Sequence, residues 1–230
     1  MLTLMVSLIV LQSNGQGHKI KLEKILERLK GIGTASYYIT SSASAPNDTV
    51  PFSTYERYVN MYEEPTDTVK GADYSGSPID DIFRFEMCYD GEYGVRFDWE
   101  DRKVSIDTMA IVPKRRPMAP FFIKVRSLIE YAMSGPDNMT LELYEYGDST
   151  KMVFSFEDVL IEFIRCSPRI IQSEGKVSKY ELVVDRDFLP YRFVRKMPYQ
   201  YSWLSCRDIK TDTLRDFKIR YILHIPPDYM

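Results

Sequence analysis

The chain has 230 residues, of which 44% are hydrophobic and 27% charged, and a formal net charge of −3. That is the composition of a globular protein, long enough to bury about 70% of its unfolded surface without staples. The acidic balance argues against a general nucleic-acid binder, which needs a basic excess, and no stretch reaches the roughly 20 apolar residues of a membrane-spanning helix.

The chain opens on an apolar, uncharged run, Leu2 to Leu11, followed by Gln12-Ser13-Asn14-Gly15-Gln16-Gly17. The run has the length of a signal-peptide core, with small residues near Gly15 to Gly17 where cleavage would fall. The expectation is a signal peptide over 1–17, then one domain over 18–230. A buried first strand or helix is the competing reading, because no Lys or Arg precedes the run. No Cys follows it, so no lipid anchor is indicated.

Leu22, Ile25, Leu26 and Leu29 have helical spacing and predict a helix over 19–31, stopped by Gly31 and Gly33. Thr34 to Ala45 reads as a strand, and Pro46-Asn47-Asp48 as a turn. Phe52 to Tyr62 reads as a second strand, although Tyr55, Tyr58 and Tyr62 also fit a helical period. Residues 63–78, with two prolines and two glycines, read as the longest loop. Phe83, Phe85, Met87 and Tyr89 then alternate with polar residues, and Asp90-Gly91 is a hairpin signal. Val95, Phe97 and Trp99 return on one face, and Val104 with Ile106 begins a further strand. Pro113-Lys114-Arg115-Arg116-Pro117 is a basic loop, read as a solvated connection.

The clearest helix begins at Pro120 and ends at Gly135-Pro136. Phe121, Val125, Leu128 and Ala132 form its stripe, with Phe122 and Ile129 beside it, a face wide enough to require burial. The remainder alternates as strands. Met139 to Leu143 comes first, then Met152 to Phe156. Val159 to Phe163 follows after Glu157-Asp158, and residues 167–175 read as a loop. Tyr180, Leu182 and Val184 lead through the polar turn Asp185-Arg186-Asp187 into Pro190 to Met197, where Tyr191, Phe193 and Met197 are expected core and Arg195 interrupts the apolar face. Phe217 to Ile225 alternates before Pro226-Pro227. Two helices and about eleven or twelve hairpin-connected strands predict an α+β fold: a long antiparallel sheet that curls over the two helices.

Candidate chemistry is sparse. Cys88, Cys166 and Cys206 are far apart and form no C-x-x-C, so thioredoxin-type redox chemistry has no motif. His18 and His224 are the only histidines, and His18 lies near the expected cleavage site, so a histidine-based metal site or a Ser-His-Asp triad would have to rest on His224 alone. The acidic groups Asp80-Asp81, Asp98 with Glu100-Asp101, and Asp185 with Asp187 read as turn formers rather than a hydrolase pair. Neither a nucleotide-binding nor a nucleophile-elbow motif occurs. The expectation is a protein that is not an enzyme and uses no cofactor.

The order of helix, meander, central helix and long meander resembles the outer-membrane lipoprotein carrier (LolA/LolB-like) layout. That resemblance implies a half-open barrel, a cell-envelope location and an apolar cavity for acyl chains of a lipid or a lipidated protein. The expected ligand-lining residues are Phe121, Phe122, Val125, Leu128 and Ile129. Residues Asp185 to Trp203 and the ending Leu223 to Tyr229 are similar to the exported β-rich domain that precedes thioredoxin in TlpA-type proteins of Gram-negative envelopes. That likeness implies a periplasmic or outer-face location and a non-catalytic role. Under it the chain is a protein-interaction module, with a thioredoxin-like envelope protein as the possible partner. Residues 63–78 and the cations Arg192, Arg195 and Lys196 are its candidate contacts.

Overall fold

The computed structural model describes residues 15–46, 48, 50–108, 119–163 and 167–213. Helix α1 (Gly15–Lys30) buries Leu22, Ile25 and Leu29 and exposes Glu23, Lys24 and Glu27, as three-four spacing requires. It begins at Gly15 rather than at residue 19, so Gly15, Gln16 and Gly17 form its first turn. The apolar run Leu2–Leu11, the basic loop 113–117, Cys166 and the expected strand 217–225 lie outside the described residues.

The first meander comprises β1 (Thr34–Ser44), β2 (Ser53–Glu63), β3 (Ala72–Ser77), β4 (Met87–Tyr89), β5 (Tyr93–Asp98) and β6 (Lys103–Thr108). Helix α2 (Phe121–Met133) follows. The second meander is β7 (Met139–Tyr146), β8 (Ser149–Glu162), β9 (Arg169–Val184), β10 (Pro190–Lys196) and β11 (Tyr201–Thr211). All eleven strands form one antiparallel sheet, in the order β6-β5-β4-β3-β2-β1-β11-β10-β9-β8-β7. The expected α+β fold, a long antiparallel sheet with two helices, is therefore the observed one. The meanders join where β1 pairs with β11, as in Ile39 opposite Cys206. Among the described residues β6 and β7 are the outer strands, with no further strand beside them.

That topology sets the surroundings of α2. In the chain α2 stands between β6 and β7, the outer strands of the described sheet, and it packs on the inner face, with Phe121 against Tyr37 of β1 and Tyr131 against Phe156 of β8. The register gives that face its residues: Ala35, Tyr37 and Ile39 lie with Val59 and Met61 on one side, and Phe193, Leu182, Met152 and Leu143 continue on the other. Alternate residues of a strand share a face, and those named here are buried or packed against the core. Phe121, Phe122, Val125, Leu128, Ile129 and Ala132 of α2 fill the space above them.

Four expectations are corrected. Residues 63–78 are not one loop, because Ala72–Ser77 is β3, paired with β2 and β4. Its sequence, Ala-Asp-Tyr-Ser-Gly-Ser, has weak strand propensity, but the two neighbouring strands supply the ladder bonds and context overrides propensity. The strand expected from Phe83 shrinks to Met87–Tyr89. The Asp81 side chain accepts the Phe83 N–H at 3.1 Å, which stabilises a turn in place of strand pairing, and Phe83 is 82% exposed. Glu157-Asp158 does not separate two strands. It is a bulge within β8, with Asp158 at φ 62°. Most of the expected loop 167–175 belongs to β9, because Ile170 and Ile171 pair with Ile161 and Leu160.

The bulge and the longer β9 are one feature. At the bulge the β8–β9 hairpin bends, and its far end folds back over the inner face. Gly175, at φ 71°, takes a backbone conformation open to glycine and donates its N–H to Asp158 Oδ1 at 2.7 Å. The Tyr180 hydroxyl, on the inner face, accepts the Ile161 N–H at 2.8 Å and donates to the Ile161 carbonyl at 3.0 Å. Phe163 closes edge-on against Tyr180 and Phe193, at 5.7 Å from each ring. Tyr180→Phe is expected to lower stability by about 1–3 kcal/mol, the cost of leaving two buried backbone groups unpaired. Hydrogen exchange should speed up selectively at 159–163. Unchanged exchange there would show that the hydroxyl does not latch the hairpin.

The turn at Asp185 is as expected, with Oδ1 accepting the N–H of Asp187 and of Leu189, both at 2.9 Å. Phe193 and Met197 are core. Tyr191 is only half-buried, because a register shift between Pro190 and Arg192 takes it off the inner row, and its hydroxyl meets Ser149 Oγ at 3.1 Å.

Candidate functional site: a donor-lined cleft at the start of the central helix

Helix α2 begins at the mouth of the curved sheet. Pro120 is its N-cap and gives no side-chain cap, so the first-turn amides and the positive end of the helix dipole face this region. One of those amides, that of Phe121, donates to the Tyr37 hydroxyl at 3.3 Å. The Phe121, Phe122 and Tyr37 rings pack against one another at 5.3–6.3 Å.

Beyond Phe121 the inner face is not filled. Ile39, Val59 and Leu204 remain half-buried there, and Gly76 supplies no side chain. A Cβ at Gly76 would stand 3.0 Å from Met87 Cγ, so the glycine lets Met87 lie against the strand. The result is a cleft of about 210 Å³ between α2 and strands β1 to β5 and β11. It widens past Arg57, Met87 and Arg96 into an outer groove of about 590 Å³, bordered by Arg84, Glu86 and the stacked rings of Phe97 and Trp99.

The polar groups in the cleft are mostly donors. Lys124 is 5% exposed and forms no ion pair with any described residue. Burial, helped by the positive charges of Arg195 and Lys70, pushes its ammonium pKa down to about 7. The Tyr74 hydroxyl also lines the cleft, is buried and has no hydrogen-bond partner among the described residues. Burial raises its pKa, so it stays protonated. Arg57 donates from Nε to Glu86 at 3.1 Å and lies 4.9 Å from the Tyr55 ring. Arg96 is exposed and has no carboxylate partner among the described residues. Apolar walls with unpaired donors suit a ligand that combines a hydrocarbon part with acceptor oxygens.

The five residues expected to line a ligand cavity divide unequally. Phe121 lines the cleft. Phe122, Val125, Leu128 and Ile129 are nearly inaccessible and lie in the packed core between α2 and the sheet. Sequence reasoning misses Lys124, although its position carries a signal. It stands three residues after Phe121 and four before Leu128, on the helix's apolar stripe, where an unpaired charge is costly. Tyr74, Arg57 and Arg96 carry no such signal, because strand pairing alone brings them together.

The other candidates have structural settings. Glu181 accepts from Lys151 at 3.0 Å and from Lys196 on the outer face. Burial pushes the Glu181 carboxyl up, but these two lysines hold it below its ordinary value. Arg195 lies on the inner face, with Nε buried and unpartnered. Asp81, Asp98 and Asp185 each accept backbone N–H groups of their own turns. Among the described residues Cys88 and Cys206 are buried free thiols, and no group of three His, Cys, Asp or Glu is placed to hold a metal. No described helix is long and apolar enough to cross a membrane.

No family model matches the chain, and no curated protein matches it. Several solved structures align over most of it. LprF from Mycobacterium bovis is 9% identical, with a TM-score of 0.44, covering 84% of this chain and 93% of its own. A LolA superfamily protein from Nitrosomonas europaea is 12% identical, with a TM-score of 0.35 and coverage of 86% and 94%. The lipoprotein LppX from Mycobacterium tuberculosis is 12% identical, with a TM-score of 0.39 and coverage of 84% and 94%. These likenesses are low, and the fold assignment rests on the strand order. The narrower resemblance to TlpA-type domains finds no support among these three.

Proposed function

We propose that this protein is a non-catalytic carrier that shelters an apolar chain, such as an acyl chain of a lipid or lipidated protein, in the cleft beside Phe121. The observation that carries the reading is the cleft itself: an apolar-walled space left between the sheet and the start of α2. Binding would come from removing hydrocarbon from water, at about 25 cal/mol per Å² of buried apolar surface. Export to the periplasm or outer face of a Gram-negative envelope belongs to this reading and is supported by the apolar run Leu2–Leu11.

Filling the cleft tests the proposal. Val59 is a half-buried lining residue, and Val59→Trp should cut binding of a fluorescent fatty-acid probe about tenfold or more while leaving the folded state intact by circular dichroism. Wild-type protein that neither binds the probe nor carries lipid through native mass spectrometry would remove the carrier reading.

A second reading, a protein-interaction module, is favoured by one observation. Phe122, Val125, Leu128 and Ile129 leave no space along the middle of α2. In that case the surface would act, with exposed Phe83, whose neighbours Arg84 and Phe85 adjoin the Phe97–Trp99 stack, in the contact region. A thioredoxin-like partner rests only on the sequence resemblance of Asp185 to Trp203.

A further inference from the structure

We infer that the ligand is a single-chain anionic amphiphile, whose phosphate or carboxylate head is held by Lys124 and Tyr74 and whose hydrocarbon tail lies against Ile39, Val59 and Leu204. The inference rests on the carrier reading and adds the head group to it.

Four observations support it. Lys124 is an almost fully buried cation with no carboxylate partner among the described residues. A protein keeps such a group at a cost in stability, and its ordinary compensation is an opposite charge. The compensating anion is not among the described residues around the cleft, since the groups nearest in electrostatic effect are Arg195, Lys70 and the Cys206 thiol. Tyr74 Oη adds a second buried donor with no acceptor among the described residues, on the same cleft.

Two more cations, Arg57 and Arg96, stand where the cleft widens, and only Arg57 has a carboxylate, Glu86. The uncapped start of α2 contributes the positive end of its dipole. A cationic head group would be repelled by Lys124, and a neutral one would leave the lysine's charge uncompensated. The size of the space limits the tail. At about 210 Å³ the cleft falls below the roughly 300–1,000 Å³ of drug-sized pockets, so it admits one short chain and excludes a multi-tailed lipid from the inner part.

The test compares head groups on one tail: octyl phosphate, octanol and octyltrimethylammonium, each below its aggregation threshold, with inorganic phosphate as the tail-free control. Binding is read by calorimetry on the full chain, wild type and Lys124→Met. Octyl phosphate is expected to bind about tenfold or more tighter than octanol, with octyltrimethylammonium weakest. Lys124→Met should abolish that preference and leave octanol binding in place. Arg96→Met, at an exposed position outside the core, should reduce the preference about threefold and serves if the lysine variant does not fold. Equal binding of all three octyl probes would overturn the head-group inference and leave the carrier reading standing. Binding of none would remove both. Inorganic phosphate binding as tightly as octyl phosphate would overturn the inference by showing a simple anion site with no contribution from the tail.

Discussion

Lys124→Met is expected to stabilise the ligand-free protein at neutral pH by a few kcal/mol, on the order of 4. The reason is the cost that the wild type carries. Lys124 is buried on the apolar stripe of α2, and Arg195 from β10 and Lys70 ahead of β3 disfavour its charge. Only the Cys206 thiol of β11 acts the other way. Methionine keeps the length of the stem and removes the charge. The folded-state pKa is about 7, below the ordinary lysine value of 10.5, so between these values the unfolded chain holds more protons than the folded one. Stability from this group therefore rises with pH across that window and is lost as pH falls towards 7. Burial raises the pKa of Tyr37 and Tyr74, so their contribution is lost on going above the ordinary tyrosine value of 10.0. Burial also raises the Cys88 and Cys206 thiols above their ordinary value of 9.0, so both proteins lose some stability by pH 9.5 and the lysine is read from the difference between them in urea unfolding at about pH 7 and pH 9.5. The gap should narrow at the higher pH. A gap of the same size at both, or a variant less stable than wild type at both, would show that the lysine is not a buried unpaired cation.

Phe156→Ala should lower stability by about 3–5 kcal/mol, the range for removing a buried aromatic ring. Phe156 lies on the inner face of β8 and is fully buried. Its ring stands 5.6 Å from Tyr131 on α2 and 5.7 Å from Tyr180 on β9. It therefore links the crossing helix to the sheet close to the bend of the β8–β9 hairpin, and the surrounding rings are held from both sides and cannot collapse into the space. Phe83→Ala is the contrast. That phenylalanine also sits in an alternating apolar pattern, yet it is largely exposed, and its loss should change stability by less than about 0.5 kcal/mol. Thermal denaturation of the two variants separates the cases, and comparable losses would contradict the placement of Phe83 in a solvent-facing turn.

Much of the architecture is legible in the amino-acid sequence. Leu22, Ile25 and Leu29 mark α1 by their spacing, and Pro120 with Gly135-Pro136 bounds α2, because helix periodicity and its stop signals are local properties of the chain. Alternation at Leu182 and Val184, and at Met152, Phe154 and Phe156, marks inner-face strands for the same reason. The wide apolar face of α2 requires a sheet to cover it, and the hairpin-length turns require that sheet to be antiparallel.

What a local pattern misses is everything set by partners distant in sequence. Ala72–Ser77 is a strand because β2 and β4 flank it, although its own residues favour a turn. Arg169–Gly175 is a strand because β8 extends beside it past a bulge, although Gly175 reads as a loop signal. Phe83 alternates like a core residue and is exposed, because the Asp81 side chain claims the local backbone. The candidate site follows the same division. The spacing of Phe121 and its neighbours on α2 leaves an apolar stripe that water disfavours, so their burial follows from local pattern. Long-range packing selects which of them faces open space and brings Lys124, Tyr74, Arg57 and Arg96 together there. Their convergence depends on strand register and on how α2 lies over the inner face, from Tyr37 of β1 to Phe156 of β8, and no local pattern encodes either.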